Sequence, residues 1–132
     1  MYLLTAIFSK SCLGDVIQDL KENKIEGITI SDVSGKGSYP SDETDTEPCL
    51  SDNIRVEIVV SNDGYKELAK EVIRSNTRDL SKGSGKMWVT PVLEVERIRT
   101  GEINEAALRH SDILETSSHL QNYFTPIDTP AS

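Results

Sequence analysis

An α+β domain of the split βαβ kind, one antiparallel sheet with two helices on one face, is what the 132-residue sequence predicts. Two observations predict it. A short apolar run at residues 2–8 leads into a helical stripe and then a second extended run, which is the order β, α, β. Residues 54–60, "IRVEIVV", then alternate without a break and are followed by another stripe and another apolar strand, so the chain repeats that order.

Each element has its own local reason. Residues 2–8 are flanked by Ser9 and Ser11, which suit a helix N-cap. Leu13, Val16, Ile17 and Leu20 then form one helical stripe that should end before Gly27. "GITISDV" from Gly27 to Val33 alternates Ile28 and Ile30 with polar residues, as a strand does. In the second half Ile54, Val56, Ile58 and Val60 share one face, and Arg55 and Glu57 share the other. "SND" offers a cap to a helix carrying Tyr65, Leu68, Ala69, Val72 and Ile73, and a strand from Lys86 to about Val95 closes the order. The architecture is therefore a ferredoxin-like βαββαβ sandwich.

Between the halves, residues 36–53 hold five acids, two prolines and a single base. Loops beyond about 12 to 15 residues are usually functional or disordered. This one reads as a mobile, projecting loop that orders on a partner or ligand, with a solvated insertion as the plain alternative. The expected organisation is one domain over residues 1–108 and a partly disordered C-terminal tail over 109–132, with a weak helical stripe through Ala106, Ala107 and His110.

With 22 acidic against 14 basic residues the formal charge is −8, and that field repels nucleic acid and anionic membranes. Any anion site must be local. No apolar run approaches the roughly 20 residues of a membrane span, and "MYLLTAIFSK" lacks the basic flank and cleavage site of a signal peptide, so a cytoplasmic location is expected. Cys12 and Cys49 make no disulfide framework, and with His110 and His119 they have no zinc spacing. They read as ordinary thiols, or as a redox pair if Cys49 lies in the loop.

Among motifs, a Walker-type loop fails because Leu80 stands where its first glycine should be and Met87 follows the lysine. A dinucleotide fingerprint at Gly35 and Gly37 fails because Pro40 follows and no helix begins there. No Ser/His/Asp set or carboxylate pair is fixed by spacing, so catalysis is not expected. What remains is "KGSGK" at 82–86, whose glycines uncover backbone N–H groups for an oxyanion, with Lys82 and Lys86 adding charge. Arg97 and Arg99, two apart on a stretch read as extended, would point to one side and suit phosphate oxygens, or else pair with Glu94 or Glu96 as a solvated face.

At these residues the chain resembles the PII signal-transduction family. The likeness covers about residues 3–108 and rests on "GITISDVSGKG", "IRVEIVV", "KGSGKMWV" and "RIRTGE" in the family's order. It implies a homotrimer of ferredoxin-like subunits, nucleotide sites in the clefts between them, and a T-loop, here residues 36–53, that contacts a transporter or enzyme. Carried over by position, Ile7, Thr29, Gly35, Lys36, Gly37, Ser38 and Val59 would border the adenine, the ribose and the loop base. Gly83, Ser84, Gly85, Lys86, Arg97 and Arg99 would hold the phosphates, the arginines reaching into a neighbour's site.

The departures are informative. Ser38 stands where the family has an arginine toward the terminal phosphate, and Tyr39 where a glutamine helps hold magnesium and 2-oxoglutarate. Asn53 or a near neighbour replaces the lysine that grips 2-oxoglutarate. The resemblance thus implies ADP or AMP favoured over ATP, no 2-oxoglutarate sensing and no uridylylation. "GKGS" at 35–38 is similar to PII-like proteins associated with bicarbonate uptake and carboxysomes, which bind adenine nucleotides including ADP and AMP; the short loop and the missing 2-oxoglutarate groups suggest bicarbonate or another small anion as co-ligand. The expected protein is a regulator without cofactor, metal or enzymatic activity; a trimeric interaction scaffold that has lost nucleotide binding is the other reading.

Overall fold

A computed structural model describes residues 1–35, 51–78 and 85–109. Strand β1 (Tyr2–Ser9) runs through a 3-10 turn (Lys10–Cys12) into helix α1 (Leu13–Glu22) and then β2 (Ile28–Gly35). After the loop come β3 (Ser51–Val60), α2 (Asp63–Thr77), β4 (Lys86–Pro91) and a short helix α3 (Glu105–Leu108). The four strands form one sheet in the order β2-β3-β1-β4, and every neighbouring pair is antiparallel. This is the predicted ferredoxin-like architecture.

The period of two in the strands decides which face is covered. Leu4, Ala6 and Phe8 of β1 and Ile54, Val56, Ile58 and Val60 of β3 are buried together with Val16 and Leu20 of α1 and Ala69, Val72 and Ile73 of α2. Both helices therefore lie on one face. Polar side chains tie them: Asp19 of α1 accepts from Asn76 of α2 at 2.9 Å and from Asn23 at 3.1 Å. Helix α1 stops where Lys24 turns left-handed (φ 61°), which lets the Ile25 N–H reach the Leu20 carbonyl at 2.9 Å and buries the Ile25 side chain.

Several local expectations need correction. Ser9 and Ser11 cap no helix with their side chains; their hydroxyls bond each other at 2.9 Å, and the intervening 3-10 turn takes up the helix start. The cap in "SND" is real, since Asn62 Oδ1 accepts from the Tyr65 N–H at 2.9 Å. Ser51, Asp52 and Asn53, placed in the loop by the sequence reading, pair with Gly35, Ser34 and Val33 and so belong to β3. Strand β4 ends at Pro91 rather than near Val95. Pro91 lies opposite Tyr2, the first residue of β1, so the pairing partner runs out there, and only the Val92 N–H reaches on to the Met1 carbonyl at 3.0 Å.

The chain divides into two compact units, Met1–Leu93 and Glu94–Ser132. The first holds the sheet, α1 and α2. The described part of the second is a small hairpin closed by an antiparallel bridge between Glu96 and Ile103, followed by α3. Among the described residues no helix is long and apolar enough to cross a membrane. The remainder of the predicted loop (36–50), Cys49, His110, His119 and the tail beyond Arg109 lie outside the described residues.

Candidate functional site

The sheet face turned away from the helices gathers most of the described candidates. Register sets Ser31, Arg55, Ile7 and Lys86 in one row across β2, β3, β1 and β4. The next row is Thr29, Glu57, Thr5 and Trp88, and Val59 lies opposite Leu3 in the row beyond. Gly35, paired with Ser51, occupies the same face at the opposite end. The face has a mixed character: Ile7 and Val59 are half-buried, Trp88 is 40% exposed, and the Arg55 Nε lies 3.4 Å from Glu57 Oε1.

These residues share a face but are strung along it. Counted on β3, Gly35 is level with Ser51, Ile7 and Lys86 with Arg55, and Thr29 with Glu57, while Val59 itself lies eight positions from Ser51. At about 3.3 Å per residue that is about 26 Å. One described cavity brings three of the candidates together. It has a volume of 230 Å³ and takes in Ile7, Gly85 and Lys86 where β1 ends and β4 begins. Its apolar wall is Ala6, Phe8, Ile73 and Met87.

Gly85 is required there by geometry. Its φ is +69°, and a β-carbon would stand 1.7 Å from the Ile7 carbonyl oxygen. Only glycine lets the chain enter β4 against β1 so closely. Sequence reasoning missed the cations on the other side of the cavity, Arg74 and Arg78. They are four apart on α2 and its C-cap, so helical spacing could have found them. Thr77 also borders the cavity, but its hydroxyl donates to the Ile73 carbonyl at 2.7 Å.

In the second unit the arginine pair is not on an extended segment, as the sequence suggested. The Arg97 N–H donates to the Glu102 carbonyl and the Gly101 N–H to the Arg97 carbonyl, each at 2.8 Å, so residues 98–100 form the tip of a tight turn. Gly101, at φ +76°, supplies the left-handed residue that this closure requires. The Arg97 guanidinium is committed inside its own unit. It donates to Glu102 Oε1 at 3.3 Å, to the Ala107 carbonyl at 2.9 Å and to the Arg109 carbonyl at 3.5 Å. The Arg99 side chain is exposed at the turn. Lys36, Gly37, Ser38, Tyr39, Lys82, Gly83 and Ser84 lie outside the described residues.

The family model described as "Nitrogen regulatory protein P-II" matches residues 1–102. The chain is 36% identical to Nitrogen regulatory protein P-II 1 of Methanothermobacter thermautotrophicus over 82% of this chain and 97% of that one. It is 32% identical to Nitrogen regulatory protein P-II of Porphyra purpurea, covering 82% of this chain and 100% of that one. It is likewise 32% identical to Nitrogen regulatory protein GlnK1 of Methanosarcina mazei, over 82% and 97%.

Proposed function

The chain belongs to the nitrogen regulatory protein P-II family of signalling proteins, and from that membership we propose that it binds adenine nucleotides in clefts between the subunits of a homotrimer. ADP or AMP is favoured over ATP, and residues 36–50 relay the bound state to a target transporter or enzyme in the cytoplasm. The observation that carries this reading is the open sheet face. Ile7, Thr29, Gly35, Val59 and Lys86 share it, yet they span too great a length for one protomer to close around one ligand. A second copy completing the cleft resolves that mismatch. Apolar surface on the face, including Trp88, supports such an assembly.

Assembly also accounts for how a chain of charge −8 holds an anion, since positive groups of two copies converge only in the trimer. The lever is differential affinity: a nucleotide moves the loop only by binding one loop state more tightly than the other. Lys36, Gly37 and Ser38 at the loop base are the contacts assigned to that lever, with Gly83, Ser84, Gly85, Lys86 and Arg99 on the phosphates. Ser38, Tyr39 and Asn53 support a site without 2-oxoglutarate sensing, and bicarbonate is the proposed co-ligand. The protein acts by binding, not catalysis; ATP turnover above a protein-free control would contradict this.

A thermal-shift screen of AMP, ADP, ATP and cyclic AMP, each with and without bicarbonate, tests the reading. A ligand at 100 times its Kd stabilises by about 2.7 kcal/mol, enough to rank the four. ADP or AMP should give the largest shift. One observation favours the scaffold reading: Arg97 is already engaged by Glu102 and Ala107. If no nucleotide shifts the transition while a trimer persists, the scaffold reading replaces this one.

A further inference from the structure

The cavity where β4 starts carries a cationic wall of which the family likeness assigns only Lys86. Arg74, Arg78 and Lys86 border one volume of 230 Å³. Their charges are not equally available. The Arg74 Nη1 is held by Glu71 at 2.6 Å, which cancels one charge. Arg78 and Lys86 have no side-chain hydrogen bond or ion pair among the described residues, and both are exposed. The C-terminus of α2 opposes an anion with the equivalent of about half a negative charge. Two unit positive charges outweigh it. The apolar wall behind them lowers the competing hydration of whatever anion they hold.

We infer that Arg78 is a phosphate-binding residue of this chain: with Lys86 it receives the phosphate end of the ligand, and it sets the preference for phosphorylated ligands over the bare nucleoside. This rests on the nucleotide reading above, but it concerns a residue that reading does not use. The guanidinium fork suits phosphate oxygens approached from the helix side, across the cavity from Gly85 and Lys86. The alternative role for Arg78 is structural, as a cation complementing the end of α2, where its N–H donates to the Arg74 carbonyl at 3.0 Å.

Calorimetric titration of the full chain with ADP, adenosine and inorganic pyrophosphate, in wild type, Arg78→Gln and Arg78→Lys, separates these roles. Arg78→Gln should weaken ADP about tenfold, equal to about 1.4 kcal/mol, leave adenosine unchanged, and make ADP binding less sensitive to salt. Arg78→Lys should recover part of the loss. Unchanged ADP affinity in Arg78→Gln, whatever its thermal stability, overturns the inference while the nucleotide reading stands. If wild type takes pyrophosphate but no nucleotide, and Arg78→Gln loses it, the nucleotide reading falls and the anion role of Arg78 stands. Wild type binding neither ligand overturns both.

Discussion

At Gly85 one β-carbon separates a closed sheet edge from a broken one. An alanine there adds a left-handed penalty of about 1–2 kcal/mol and a clash with the Ile7 carbonyl, which is backbone in the middle of a paired strand and cannot step aside. Gly85→Ala should cost about 3 kcal/mol or more in urea denaturation. Arg97 makes the opposite point, because its importance is internal. Replacing it with Gln should speed amide exchange at Leu108 and Arg109, whose helix end it braces, while β1 and β3 amides keep their protection. Its side chain is 32% exposed, so screening limits the ion-pair part of that effect. The sequence could show that Arg97 and Arg99 are two apart; it could not show the turn between them, because "RIRTGE" reads equally as strand or as turn until Gly101 is seen to be left-handed.

Among the elements, α2 is the best specified and the most testable. Asn62→Ala removes the cap on the Tyr65 N–H and should lower stability by about 1 kcal/mol, with an unchanged denaturant slope. Its first turn also carries a pH dependence. Hydrogen bonding from the Tyr2 hydroxyl, and then from Lys66, holds the Asp63 carboxyl below the usual carboxylate range. A carboxylate depressed in the folded state stabilises above its unfolded pKa, and the benefit is lost as pH falls through the folded value. Asp63 should therefore titrate below the ordinary aspartate range by NMR, and Asp63→Asn should remove that part of the acid limb. The strands were legible to different degrees. The alternation of β3 was complete because one face is buried and the other open. β4 was read too long because its apolar run continues past the point where β1 can pair with it, and a partner's length is not written in the strand's own residues. The cationic wall was missed for a similar reason, since Arg74 and Arg78 gain meaning only when β1 and β4 close the volume beside them.

At the scale of the molecule, the open face and the separation of its candidate residues support the proposed trimer. Trp88, the single tryptophan, lies on that face at 40% exposure and so reports on it. In a trimer that covers the face its emission should shift to the blue and return to the red on dilution, in step with sedimentation at three times the chain mass. Fixed red emission at all concentrations would place the interface elsewhere. Under the proposed function this family member reads a short phosphate chain and does not read 2-oxoglutarate. Titration calorimetry of ADP and of Mg-ATP, each with and without 2-oxoglutarate, tests it most directly. One ADP per chain, bound more tightly than Mg-ATP and with no response to 2-oxoglutarate, is the expected result. Tighter Mg-ATP binding, enhanced by micromolar 2-oxoglutarate, would contradict it.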